Sequence, residues 1–522
     1  MASNNPKQQL EQVEPAIERQ LTDADGKNNK VVQIGQLRVM GLSSEDEDFY
    51  VNFPAKERAA LVRKIDLRLA PMLAILYLLS NLDRTNIGNA NIEGLSKDLA
   101  LTGVQYNTAL GILFVTYIIF EVPSNMILKR FTKPSQYMAF IVISWGLVLT
   151  FTGVVQNYAG LIVCRLLLGL FEAGFYPAAV YILTQWYMPQ ELATRLSHMY
   201  LTSAVASAFS GLLAAGIAEM HGIGGYEGWR WIFILEGLGT VVLGLATWFW
   251  LADSPALSKW LTHEEKRYLE VQHFIKDGGL FSSRQRKSDW KVFLSILTDW
   301  KIYGVSALLF VNIAAGYGVK LTMPAIIKGM GFQNRAAQLM TAPPYVLGAI
   351  STVVSSKLSD RFYRRMPFIV IPWTIFIIGY AIIMSYGANT AKNVGPCYFG
   401  VFLICIGLFP VNPAITSWAA NNITPASKRA VGVAFFNCVG NIGGILGSFM
   451  FLEKEAPAYP TGYGTSIGVL AAGILIAIGL EAAFIIVNKR RDRVPEEEVR
   501  AKYSEQQLSD MGDKSPLYRY TL

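Results

Sequence analysis

The sequence predicts an all-α membrane protein with twelve transmembrane helices, divided six and six. Three observations predict it. Of 522 residues, 52% are hydrophobic and 16% charged, where soluble domains carry about 25% charged residues. The apolar residues fall in discrete runs of about 20, the length at which a helix crosses a bilayer. One long polar stretch, about residues 253–300, stands between the sixth and seventh runs.

The elements follow in order. Residues 1–64 read as a disordered cytosolic tail, rich in Gln, Asn, Asp and Glu. Its opening, MASNNPKQQLEQVEPAIERQ, has no apolar core and does not read as a cleaved signal peptide. Spans are expected near residues 68–90, 104–127, 136–155, 159–183, 196–219 and 229–251, giving a first six-helix segment over 65–252. The central loop, 253–300, is expected to be cytosolic. Spans near 301–325, 337–357, 367–387, 395–418, 430–452 and 464–487 give a second six-helix segment over 301–488. Residues 489–522 read as a second cytosolic tail.

Loop charges set the orientation. One side carries Lys129, Arg130, Lys133, Arg195, Lys357, Arg361, Arg364, Arg365, Lys428 and Arg429; the other carries Lys97, Lys328, Arg335, Lys392 and Lys454. Ten against five places both termini and the central loop in the cytosol by the positive-inside rule. The net charge of +8 is absorbed by these loops. With no nucleic-acid module present, no nucleic-acid partner is expected. The sequon Asn422-Ile423-Thr424 falls on the cytosolic side and is expected to be unmodified. Cys164, Cys397, Cys405 and Cys438 form no C-x-x-C pair, and the four His are scattered. No metal and no cofactor are expected. No nucleophile–base pair or cofactor loop is visible, so an enzyme is not expected.

Charges inside the spans carry the functional reading. Arg165 and Glu172 lie in LIVCRLLLGLFEAGFYPAAVYIL, and Asp83 and Arg84 in PMLAILYLLSNLDRTNIGNANI. A charge at the bilayer centre costs roughly 3 kcal/mol or more, so such residues face a cavity, pair with each other, or meet a charged ligand or a proton. Arg165 and Glu172 are two helical turns apart on one face, separated by a rise of about 10 Å. Asp83 and Arg84 point about 100° apart, so Asp83 is expected to address the fourth span and Arg84 the cavity. Asn312, Gly316 and Lys320 share a face of the seventh span at i, i+4, i+8. Lys320 is a substrate cation or a snorkelling interface residue. Asn412 lies between Pro410 and Pro413, where backbone hydrogen bonding is loosened. Asn437 and Asn441 are i, i+4 neighbours, beside glycines that suit close helix packing. Glu121 is an intramembrane carboxylate one turn beyond Tyr117, a candidate for proton carriage or gating. Glu219, Glu236 and Glu481, near span ends, read as structural.

Several of these segments resemble the major facilitator superfamily. The turn SKLSDRFYRR matches the family's short loop pattern G-x-x-x-D-R-x-x-R-R through Asp360, Arg361, Arg364 and Arg365, with Ser356 in place of the glycine. The corresponding turn in the first half, SNMILKRFTK, has Leu128 where the acid belongs. RLLLGLFEAGFYP, WYMPQELATR, NLDRTNIGNA and GWRWIFILEG resemble the anion:cation symporter family, in particular its fungal allantoate, nicotinate and pantothenate permease branch. The resemblance implies two six-helix bundles around a central cavity that rock about a midplane site, and uptake of a carboxylate with protons. It also implies that Arg165 serves the substrate carboxylate or Asp83, that Glu172 carries a proton, and that Tyr117 touches substrate. A structural interhelix ion pair is the other reading of Arg165 and Glu172.

The sequence therefore leads to a proton-coupled symporter of a small organic carboxylate, such as a nicotinate-like vitamin. Arg84, Arg165, Tyr117, Lys320, Asn312, Asn412 and Asn437 are its candidate substrate residues, Asp83, Glu172 and Glu121 its proton residues, and Asp360, Arg361, Arg364 and Arg365 its gating turn. The other readings are export of an acidic metabolite and a non-transporting nutrient sensor of the same fold. The expected setting is a monomer in the lipid bilayer of the plasma membrane or of a vacuole.

Overall fold

The computed structural model describes residues 43–128, 130–276, 294–362, 364–424, 426–503, 507–508 and 511–522. Expectations on residues 1–42, on 277–293 of the central loop and on Lys129 lie outside the described residues. The backbone of a spanning segment has no water to bond, so its polar groups must pair internally, and long apolar runs become helices. The twelve long helices are α1 (Ala55–Ile92), α2 (Gln105–Leu128), α3 (Pro134–Thr152), α4 (Tyr158–Trp186), α5 (Pro189–Ala218), α6 (Gly228–Trp250), α7 (Trp300–Gly329), α8 (Ala342–Phe362), α9 (Pro367–Tyr386), α10 (Val394–Asn422), α11 (Ala426–Met450) and α12 (Pro460–Arg491). Eleven of them are long and apolar enough to cross a membrane; α8, with 21 residues, carries several serines and a charged end instead. It also starts later than the sequence suggested, because Asn334–Leu339 forms a separate short helix and Pro343 and Pro344 sit in the first turn of α8, where a missing N–H costs little.

Two apolar cores form, one mainly of α1–α6 and one mainly of α7–α12, the first taking in Leu321 and the second Ile92, Ala204 and Ala208 across the seam. Each half therefore packs as its own bundle. Where the halves meet, α1 and α7 approach closely at Gly88, where a β-carbon would collide with the Leu321 carbonyl. Helix α4 breaks at Ala173 and Gly174. A β-carbon on Gly174 would lie 2.9 Å from the Tyr137 hydroxyl, so this glycine lets α4 press against α3.

Both expected tails need correction. Helical structure is present before residue 65: a helix spans Ser44–Asn52, and α1 starts at Ala55. The cause is the described part of the central loop, whose helix His263–Lys276 holds this segment. Arg267 binds Asp46 at 2.8 Å and Glu45 at 2.9 Å, and Tyr268 stacks on Tyr50 and Phe53. At the other end, residues 511–522 fold back onto the second bundle. Asp513 is 1% exposed among Lys301, Lys428 and Asp299. Tyr520 stacks on Phe484, and Thr521 exchanges hydrogen bonds with Asn422 in both directions. The buried Asn422 side chain of the sequon is thus fully engaged.

Candidate functional site

Between the two bundles lies a cavity of about 130 Å³, the scale of a small solute. From the first half, α1 supplies Tyr77, Ser80, Asn81 and Arg84, a polar stripe at helical spacing. Tyr117 and Glu121 come from α2, Tyr176 from α4 and Ser203 from α5. From the second half, α7 supplies Asn312, Gly316, Tyr317 and Lys320, α10 supplies Phe409, Asn412 and Pro413, and α11 supplies Asn437 and Asn441. Seven of the expected residues are thereby brought together: Arg84, Tyr117, Glu121, Asn312, Lys320, Asn412 and Asn437.

Arg84 is the hub. Its Nε donates to Glu172 Oε1 at 2.6 Å, and its Nη1 donates to Tyr317 Oη at 3.1 Å. Its guanidinium also lies 4.6 Å from the Tyr117 ring centroid. Ser80 Oγ donates to the same Glu172 oxygen at 2.5 Å. The other Glu172 oxygen is buried and unpartnered. Glu172 therefore stands directly behind the cavity wall, with Arg84 between it and the cavity. Opposite, Lys320 Nζ lies 4.7 Å from the Phe409 centroid and 5.9 Å from that of Tyr317. It has no ion-pair partner among the described residues. Asn312 Oδ1 is held by Trp373 Nε1 at 3.2 Å, and Cys438 Sγ donates to Glu121 Oε2 at 3.3 Å.

Two expected residues lie elsewhere. Asp83 addresses the third and sixth spans, not the fourth: its Oδ2 accepts from Trp145 Nε1 at 3.0 Å and from Thr240 Oγ1 at 3.3 Å. The helical phase that turns Arg84 into the cavity turns Asp83 into the bundle. Arg165 is 2% exposed, does not line the cavity, and packs 5.7 Å from the Phe233 centroid. Its distance along α4 from Glu172 separates it from Arg84. The gating turn stands apart as well. Arg365 pairs with Asp360 at 2.7 Å, whereas Arg361 and Arg364 are exposed and bridge nothing in the other half among the described residues.

Sequence reasoning missed Tyr317 and Ser80. Tyr317 adjoins Gly316, and Ser80 stands four residues before Arg84, so a helical-face count would have found both. Glu236 is not near a span end. It lies inside α6, is 5% exposed and accepts a hydrogen bond from Asn86.

Links between the halves lie mostly on the side away from the termini. Asn107 Nδ2 donates to the Ser448 and Phe451 carbonyls at 2.7 and 3.0 Å. Gln338 donates to Glu93 at 3.0 Å, and Lys328 to the Ile92 carbonyl at 3.2 Å. Arg335 pairs with Glu219. On the terminal side the described hydrogen bonds between halves reduce to the Cys438–Glu121 contact. This conformation is closed on the face away from the termini.

The comparisons agree with this arrangement. Residues 73–448 match the model of the Major Facilitator Superfamily. The chain is 36% identical over 479 residues to the MFS-type transporter cnsO of Penicillium expansum, covering 90% of this chain and 92% of that protein. It is 32% identical to the high-affinity nicotinic acid transporter of Saccharomyces cerevisiae, over 92% of this chain and 88% of that one. Among solved structures, a D-xylose–proton symporter superposes with a TM-score of 0.61 at 15% identity, covering 79% of this chain and 96% of that chain.

Proposed function

The chain belongs to the major facilitator superfamily, and on that premise we propose that it takes up a small organic carboxylate together with protons. One observation carries the reading: Arg84 lies on the cavity wall and is held at 2.6 Å by Glu172 from behind. A carboxylate entering the cavity competes with Glu172 for the same guanidinium. If it wins, Glu172 is left as a buried anion next to the newcomer. That is costly unless a proton neutralises it. Anion binding at Arg84 and proton binding at Glu172 therefore lower each other's cost, which is reciprocal coupling.

The rest of the cavity fits this assignment. Lys320, without an acidic partner, is a second cation for the substrate, on the opposite bundle. A carboxylate bridging Arg84 and Lys320 draws the halves together, as alternating access requires. Tyr117, Tyr176 and Phe409 supply aromatic surface for a ring, and the similarity to a nicotinic acid transporter supports a nicotinate-like acid. In this reading the protein acts as a monomer in the plasma membrane with its termini in the cytosol, and the closed face looks outward.

Uptake of labelled carboxylates by cells lacking their own permeases tests the proposal. Nicotinate and related acids should compete and nicotinamide should not. Equal inhibition by acid and amide would overturn it.

A further inference from the structure

The cycle above uses Glu172; of the other buried acids of the first bundle, Glu121 lines the cavity, and Asp83 and Glu236 lie off it without a task. Asp83 and Asn86 are one turn apart on α1; Glu236 and Thr240 are one turn apart on α6. They form two rungs: Asp83 Oδ2 accepts from Thr240 at 3.3 Å, and Glu236 Oε2 accepts from Asn86. Asp83 is 1% and Glu236 5% exposed. Asp83 Oδ1 and Glu236 Oε1 are buried without partners. Neither acid lines the cavity.

Charge balance makes this cluster unusual. The first bundle buries four acids, Asp83, Glu121, Glu172 and Glu236, against the buried Arg165 and the cavity-facing Arg84; Glu121 lines the cavity and accepts from Cys438. Arg84 is matched to Glu172. Arg165, with Nε and Nη2 unpartnered, is the cation left for two acids, and it stands within electrostatic reach of Asp83. Facing Glu236 are Asp83 and Asn86 from α1, the one titratable and the other neutral. At these rungs α3 adds Trp145 and α5 adds Ser210, both neutral, while α4 brings Arg165 and Glu172 within electrostatic reach of Asp83. A surplus acid in a dry interior needs a counter-charge or a proton.

We propose that Glu236 binds a proton that is exchanged during transport, as a second coupling site beside Glu172; this rests on the proton-coupled reading. When substrate draws Arg84 away from Glu172, the charge left on Glu172 stands unpaired within electrostatic reach of Asp83, and the cluster's demand for protons rises. A polar ladder provides the approach. Asn86 Oδ1 accepts from Ser210 Oγ at 3.3 Å, and Asn89 donates to Ser210 at 2.7 Å, one step towards the end of α1 on the face away from the termini. The proton enters from that face as the carboxylate becomes a carboxylic acid, and leaves when Arg84 returns to Glu172.

The test uses the full-length protein and its Glu236→Gln and Glu236→Asp variants in phosphatidylcholine–phosphatidylglycerol liposomes. Without substrate, an infrared C=O band of a protonated carboxylic acid should fade as pH is raised. It should be missing in Glu236→Gln and shifted in Glu236→Asp. With nicotinate as probe and a pH gradient imposed, accumulation by Glu236→Gln should fall about tenfold per pH unit, the contribution of one proton. A band that never titrates, a band retained in Glu236→Gln, replacement of the proton signal by a sodium dependence, or undiminished accumulation would each overturn the proposal. If the unaltered protein accumulates no carboxylate under a pH gradient, the transport reading fails, and the infrared titration still decides where the proton sits.

Discussion

Arg84 and Glu172, 88 residues apart in sequence, form an ion pair of 2.6 Å in which the arginine is 13% and the glutamate 1% exposed. The acid is sealed and the base faces the cavity. A ligand can reach only one member of the pair, and reaching it changes the charge that the other can bear. Coupling between an anion and a proton needs little more than this asymmetry.

Glu172→Gln keeps the volume and hydrogen-bonding capacity of the protonated acid. Arg84 is then free to hold substrate at all times. The variant should still exchange labelled for unlabelled carboxylate and should lose uphill accumulation, because no proton is released. Counterflow and pH-driven uptake, measured side by side in liposomes, check this. Full accumulation would show that the coupling proton sits elsewhere.

Arg84→Lys keeps a charge and loses the fork that reaches Glu172 through Nε and Tyr317 through Nη1 at once. A charged hydrogen bond contributes about 1.5–3 kcal/mol. The concentration for half-maximal uptake should therefore rise about tenfold or more. Arg165→Lys should leave that concentration far less affected, since Arg165 is outside the cavity. A larger effect at Arg165 than at Arg84 would contradict the site.

Most of the fold was legible because bilayer crossing demands long apolar runs, and loops such as 129–133 and 357–365 carry their charge on one side. Within helices, the cavity face could be read wherever polar residues recur at helical spacing, as at Asn312, Gly316 and Lys320. What periodicity does not supply is the angular phase between helices. Asp83 and Arg165 sit in apolar runs as conspicuously as Arg84 and Glu172 do, yet α1 and α4 are rotated so that only Arg84 meets the cavity, with Glu172 held directly behind it. The terminal segments were misread for a related reason. Their polarity suggested disorder, but Asp513 and Asp46 find their partners hundreds of residues away, at Lys301 and Arg267.

The proposed cytosolic placement of the termini rests on loop charge, and the structure adds Arg230 to the sparser face, where it pairs with Asp98 at 2.8 Å. The asymmetry becomes ten against six and keeps its sign. Cysteines placed at Lys392 and at Arg364, exposed on opposite faces, report it. In intact cells an impermeant maleimide should label the former and spare the latter. The reverse pattern would invert the molecule.

The returning segment 511–522 joins the terminal-face ends of α7, α10, α11 and α12 through one buried cluster, in which Lys301 and Lys428 share Asp299 and Asp513. Removing one acid strands a buried lysine. Asp513→Asn should therefore cost on the order of 3 kcal/mol and lower the midpoint of thermal unfolding in detergent. Deleting residues 511–522 should act in the same direction. The pH dependence has a definite sign. Burial pushes the Asp299 carboxyl up, but the hydrogen bond from Lys428 and the charge of Lys301 outweigh it and hold the group below its ordinary value. A depressed acid stabilises the folded form at every pH above its unfolded value, about 3.9, and loses that contribution as pH falls through the folded one. Docking of the segment should thus be insensitive to pH across the neutral range and weaken only in strong acid, as read by protease cleavage after Arg491. Release of the segment near neutral pH would show that something other than this cluster holds it.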